Sequence, residues 1–172
     1  VSAFGGIVAL NRPIDAPTAE AMTTTFLECV VAPACDEDAR AILAKKKNLR
    51  VIVLPDLTTG PSQTIKAIAG GFLLQASDRH PIDPTEWTMV TDAKPNTQQL
   101  NELVFAWSVV KHVKSNAIVI TRDRATAGIG AGQMNRVGAV KIALEQAAEK
   151  ANGAVLASDA FFPFDDSVRA AA

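Results

Sequence analysis

Apolar positions along the chain recur with two different periods. Leu100, Leu103, Val104, Trp107 and Val110 stand three and four residues apart, which predicts one buried face of an amphipathic helix. Val137, Val140, Leu144 and Ala147 repeat the pattern and predict a second helix. Between them, a polar break at Lys114-Ser115-Asn116 leads into Ala117-Ile118-Val119-Ile120, a run with the length and β-branching of a buried strand. Arg122 to Thr126 is polar enough to turn. The glycine-rich run Ala127-Gly128-Ile129-Gly130-Ala131-Gly132 then leads towards the second helix, whose N-terminal N–H groups and dipole would favour an anion or a developing negative charge.

The first half reads as alternating strands and helices. Gly5 to Leu10 is a strand stopped by Pro13, and Asp15 is the N-cap of a helix with Pro17 in its first turn. Glu28 to Ala32 is a short strand, Asp36 caps a helix running to Lys47, and Leu49 to Leu54 is a continuous apolar strand. This β-α-β-α-β order implies a layered α/β fold with helices covering a sheet. Pro55 to Gln63 is a polar loop, and Thr64 to Gln75 is extended, with a bulge or close approach expected at Gly70-Gly71. Ser77 to Glu86 is irregular, Trp87 to Thr91 is a short strand, and Ala154-Val155-Leu156 is the last strand. The nearest thing to an internal boundary is Asp92 to Asn96, and no repeat at a fixed period is visible.

Charge and composition narrow the function more than the fold. Seventeen basic against eighteen acidic residues leave nothing to steer the chain to nucleic acid or to a membrane surface. No apolar run reaches the roughly 18 residues needed to cross a bilayer, and the first residues lack a signal-peptide pattern. Cys29 and Cys35 match no metal or redox motif, so reduced thiols and a cytoplasmic setting are expected. No Ser-His-Asp, HExxH or CxxC arrangement is present, and His80 lies in an irregular segment outside any such motif.

Three features carry candidate chemistry. Asn116, at the lip of a buried strand, is by residue type most often structural; its functional role would be to orient a carbonyl and stabilise an oxyanion. Arg136, one turn into the second helix, can hold a carboxylate or a polarised carbonyl, although most helical arginines are solvated. Asp159 to Asp166 sets three phenylalanines around Pro163; such a cluster can plug a core, or it can form a slot for a flat ring beside a carboxylate. The glycine run lacks the GxGxxG spacing of a dinucleotide site, which disfavours a dinucleotide-binding oxidoreductase.

Four separated segments, SAFGGIVALNRPIDAPTA, KSNAIV, GIGAGQMNR and ASDAFFPFDD, together resemble the aminoimidazole carboxamide ribonucleotide (AICAR) formyltransferase domain of the bifunctional purine-biosynthesis enzyme. The resemblance runs in order through nearly the whole chain. It implies a pair of cytidine-deaminase-like α/β units, here residues 1–94 and 95–172, and formyl transfer from 10-formyltetrahydrofolate to the 5-amino group of AICAR. It also implies a homodimer that acts on these two small molecules and binds neither nucleic acid nor membrane. Asn116 matches the family's active-site asparagine. Gly5 and Glu28, with Val1 and Ser2 at the edge, match positions that contact the AICAR nucleotide. Arg136, Phe161, Pro163, Phe164, Asp166 and Ser167 match the folate wall. Ser115 and Asp159 fall where relatives hold a monovalent cation, potassium. Asp165 stands where relatives often carry arginine.

The resemblance also places the family's proton-shuttling lysine–histidine pair upstream of Val1, so Lys111-His112 is expected to be structural. A chain starting inside a family motif, with no counterpart of the cyclohydrolase domain, is expected to be a fragment that is inactive alone. The alternative from another class is a non-catalytic folate- or nucleotide-binding module that pairs with a chain supplying the missing motifs.

Overall fold

The computed structural model describes residues 3–57 and 60–172, arranged as two units, Val1–Asp78 and Arg79–Ala172. In the first unit, strands β1 (Gly6–Ala9), β2 (Leu27–Ala32) and β3 (Arg50–Val53) form a parallel sheet in that order. Helices α1 (Ala16–Thr23) and α2 (Glu37–Leu43) are the crossovers that parallel strands require. Asp15 caps α1 as its sequence predicts, accepting the Thr18 N–H at 2.9 Å, with Pro17 in the first turn. The core of this unit joins Ile14 and Ala19 to Leu27, Val30, Ala32, Ala39 and Leu43.

Three expectations for this unit need correction. Asp36 stands at the N-cap of α2 but makes no side-chain capping bond. That helix ends at Leu43 rather than Lys47, because Lys45 and Lys46 donate back three residues, to Ile42 and Leu43, and tighten the chain into turns. The apolar strand predicted at Leu49 to Leu54 does form, as the edge strand β3, with every residue of Arg50–Val53 exposed. Strands β4 (Gln63–Ile68) and β5 (Gly71–Ala76) make an antiparallel hairpin closed at Ala69-Gly70, in place of the bulge or close approach expected at Gly70-Gly71. Gly70 has φ +82°, which a two-residue hairpin turn favours. Thr58 and Thr59, within the predicted loop, lie outside the described residues.

The second unit contains helix α3 (Thr97–Val110), strands β6 (Ile118–Arg122) and β7 (Ala125–Gly130), helix α4 (Arg136–Ala147), strand β8 (Val155–Ser158) and the short helix α5 (Asp166–Ala171). The sheet order is β7-β6-β8, with β6 antiparallel to both neighbours. Strand β6 is central and covered on both faces, which accounts for its unbroken apolar sequence. Ile118 and Ile120 pack with Ala139, Val140, Ala143 and Ala147 of α4. Ala117 and Val119 pack with Ala106 and Val110 of α3 on the opposite face. Asn96 and Gln99 form a capping box at the start of α3. Asp123 and Arg124, both at φ 55°, close the β6–β7 turn.

Two segments of this unit differ from the sequence reading. Trp87 to Thr91 is not a strand: a short 3₁₀ turn, Pro84–Glu86, precedes it, and the Trp87 ring packs at a tilt of 51° against Trp107, with centroids 5.7 Å apart. The glycine run is largely strand rather than a loop at the start of a helix, with Gly128 and Gly130 inside β7. A Cβ at Gly128 would overlap the Ala143 carbonyl oxygen, and one at Gly130 the Ala139 carbonyl oxygen. These glycines let the backbone of α4 lie directly on the strand. No helix among the described residues is long and apolar enough to cross a membrane.

Candidate active site

Asn116 sits where the polar break meets β6, and its backbone is paired on both sides with Gln133. The Asn116 N–H donates to the Gln133 carbonyl at 3.2 Å, and the Gln133 N–H donates back at 3.4 Å. The side-chain Nδ2 also donates to that carbonyl, at 2.8 Å. Its Oδ1 accepts from Nη2 of Arg136 at 2.9 Å. A guanidinium only donates, so this contact fixes which end of the amide is oxygen.

Arg136 is the first residue of α4 rather than a residue one turn in, because Asn135 supplies the N-cap, accepting the Gly138 N–H at 2.7 Å. The first-turn position turns the guanidinium inward, and its side chain is only 8% exposed. Nη1 donates to the Ser158 hydroxyl at 2.8 Å and to Oδ1 of Asp159. A buried guanidinium needs such partners, since an unpaired charge at this depth would be strongly destabilising. Both partners come from the end of β8, where Ser158 is in register with Ile118.

Asp159 completes the group. Its Oδ1 also accepts the Ala117 N–H at 2.8 Å, while its own N–H donates to the Ala117 carbonyl at 3.2 Å. Burial alone would raise its pKa, but hydrogen bonds from Ser115, Arg136 and the Ala117 N–H, with the guanidinium charge, hold it at about 2. Ser115 and Asp159, the two residues matched to a monovalent cation, are therefore brought together. The same carboxylate oxygen already faces Arg136, however, and hard cations need several oxygen ligands. A monovalent cation beside this pair would need further oxygen ligands, and no group of three or more His, Cys, Asp or Glu that could hold a metal ion occurs among the described residues.

This polar group opens onto a cleft of about 430 Å³ lined by Asn116, Met134, Asn135, Arg136, Val137 and, from the turn after β8, Ala160, Phe161, Pro163, Phe164, Asp166 and Ser167. Every residue matched to the folate wall is on that list, and so is the matched asparagine. The aromatic turn divides its rings between two environments. Phe162 packs against the core beneath α4, whereas Phe161 and Phe164 are 81% and 73% exposed at the cleft. Asp166 begins α5 and accepts the Ser167 N–H at 2.7 Å, and Ser167 is buried. Asp165 pairs with Arg169 at 2.7 Å.

The remaining candidates lie elsewhere. In the first unit, a Cβ at Gly5 would stand 3.8 Å from Oε1 of Glu28, so these two matched residues are neighbours, and the Gly5 N–H donates to Phe26 at 2.8 Å. Val1 and Ser2 lie outside the described residues. Lys111 caps the end of α3, and His112 donates its N–H to Val109; neither lines the cleft. Sequence reasoning missed Gln133 and Ser158, and it assigned Asp159 no contact with Arg136. The signal was strand register: pairing β8 with β6 sets Asp159 beside Ala117, 42 residues away.

Comparison with known proteins agrees with the motifs. The family described as AICARFT/IMPCHase bienzyme matches residues 1–146. Over 171 residues, 99% of this chain, the sequence is 68% identical to the bifunctional purine biosynthesis protein PurH of Synechocystis, of which it covers 34%. It is 70% identical to PurH of Cyanothece and 68% identical to PurH of Nostoc punctiforme, each over 99% of this chain and 33% of the relative. The chain thus spans about a third of the length of the curated relatives it matches. With a mixed α/β fold and this match along most of its length, the chain belongs to the AICARFT/IMPCHase family of bifunctional purine-biosynthesis enzymes.

Proposed function

We propose that residues of this chain form part of the formyltransferase site, at which the formyl group of 10-formyltetrahydrofolate passes to the 5-amino group of AICAR on the way to IMP. The observation that carries this reading is the shared cleft: half-buried Asn116, bonded to buried Arg136, lies at one side of a slot walled by Phe161, Pro163 and Phe164. A pterin needs an apolar slot for its ring and an acceptor for its amino and ring N–H groups, and Asp166 offers the acceptor.

In this reading the AICAR amine attacks the formyl carbon, forming the new C–N bond and moving the carbonyl electrons onto oxygen. Asn116 donates from Nδ2 to that oxygen as its charge develops. Collapse of the intermediate breaks the bond to the folate nitrogen, which takes up a proton, while the amine loses one. The family's lysine–histidine pair, outside residues 1–172, would move that proton. Residues 1–172 alone should therefore show no turnover, and activity belongs to the longer protein acting as a dimer. Gly5 and Glu28, neighbours within the first unit, would be contacts of an AICAR nucleotide by their match to the family motif.

The test is Asn116→Ala in the complete two-activity protein. Formyl transfer, followed by the folate absorbance change, should fall in kcat on the order of a hundredfold. The folate KM should change little. A variant with wild-type kcat would remove Asn116 from the chemistry.

A further inference from the structure

The hydrogen-bond chain behind Asn116 does more than bury polar groups. An asparagine amide can rotate by half a turn at almost no steric cost, and the two orientations present opposite chemistry to a ligand. With Nδ2 towards the ligand it donates to an oxyanion; with Oδ1 there it repels one. The choice between them is made by the groups behind the amide. Here Oδ1 faces Nη2 of Arg136, which cannot accept, and Nδ2 faces the Gln133 carbonyl, which cannot donate. Rotation would set Nδ2 against the guanidinium and Oδ1 against a carbonyl, losing two bonds and creating two repulsions.

Arg136 can hold the amide only if it is itself held. Nη1 spends its two hydrogens on Ser158 and Asp159, leaving Nη2 directed at Asn116. Asp159 is anchored in turn by Ala117, the residue after Asn116, whose N–H donates to its carboxylate and whose carbonyl accepts its backbone N–H. The anchor and the amide therefore ride on the same strand start, and the guanidinium spans them.

We propose that Asp159 is a positioning residue for formyl transfer: through Arg136 it locks the Asn116 amide with its N–H towards the reacting carbonyl. Asp159 need not touch either substrate. The inference rests on the role given to Asn116 above, and it assigns Arg136 chiefly to the protein, since three of its hydrogens are already used.

A double-mutant cycle in the complete protein separates this role from a general structural one. Asp159→Asn keeps the shape of the side chain and removes the charge that holds Arg136. It should lower kcat about ten- to a hundredfold and move the folate KM by no more than about threefold. In an Asn116→Ala background the same substitution should cost less than about threefold, because there is no amide left to orient. Arg136→Lys is the second variant, for use if Asp159→Asn does not fold. A lysine keeps the charge beside Asp159 but cannot bridge to Asn116 in the same planar geometry. It should show the same kcat loss and the same disappearance of that loss beside Asn116→Ala.

Equal losses in both backgrounds would overturn the proposal, as would a loss confined to KM. If Asn116→Ala itself left kcat unchanged, both this inference and the functional reading would fall. A large Asn116→Ala effect with an additive cycle would remove only the lock.

Discussion

Two segments of the second unit look chemical in sequence, and the fold uses them in opposite ways. The glycine run at Gly128 to Gly132 suggests a phosphate-cradling loop, yet Gly128 and Gly130 are buried in a strand against the α4 backbone. The aromatic run Phe161 to Phe164 suggests a core plug, yet two of its rings face outwards beside buried polar groups. Missing side chains allow two backbones to touch, whereas bulky apolar side chains left exposed on a proline-stiffened turn invite a flat ligand. Residue type identified both segments as unusual. Burial alone decided which one is structural.

The largest effect expected from this contrast is on stability. Gly130→Val should destabilise the second unit by about 3 kcal/mol or more, since its side chain would meet the Ala139 carbonyl and cannot move away. Chemical denaturation measures this, and a near-neutral result would return the glycine run to consideration as a ligand loop. Phe161→Ala should do the reverse. It should leave stability within about 0.5 kcal/mol, because the ring is 81% exposed, and should weaken folate binding by roughly 1–3 kcal/mol. Titration calorimetry alongside denaturation of the complete protein would show the split.

Gly132→Ala sharpens the comparison within the glycine run itself. Gly132 lies past the strand at φ +64° with open space around it, so only backbone strain opposes a side chain. The expected cost is about 1 kcal/mol, well below that at Gly130. The remaining effect concerns acid. Asp159 is held at about 2 against an ordinary 3.8, so its contribution to stability is complete above pH 3.8 and is lost as pH falls through 2. Asp159→Asn should therefore flatten the acid limb of the stability profile there, and an unchanged limb would mean that the ion pair is not formed.

What was legible in the sequence follows the range of the interactions. Helices α3 and α4, strand β6 and the Asp15 cap follow from periodicity and local bonds, which act within a few residues. The exposed edge strand β3, the hairpin at Ala69-Gly70 and the role of the glycines depend on what lies opposite, and no local pattern records that. The site divides the same way. Motif resemblance picked out Asn116, Arg136 and the Phe161–Ser167 wall, and these residues share one cleft. The bonds that orient them, from Ser158 and Asp159 across to Arg136 and Ala117, span 22 to 42 residues and appear only once β8 is in register with β6.

The central claim is that Asn116 and the aromatic turn serve one ligand. A crystal structure of the complete protein with a bound folate analogue tests it most directly. The account predicts the pterin ring against Phe161, Pro163 and Phe164, with the formyl oxygen about 3 Å from Nδ2 of Asn116. An analogue seated against the aromatic turn with its formyl group beyond reach of Asn116, or lodged away from that turn altogether, would contradict it.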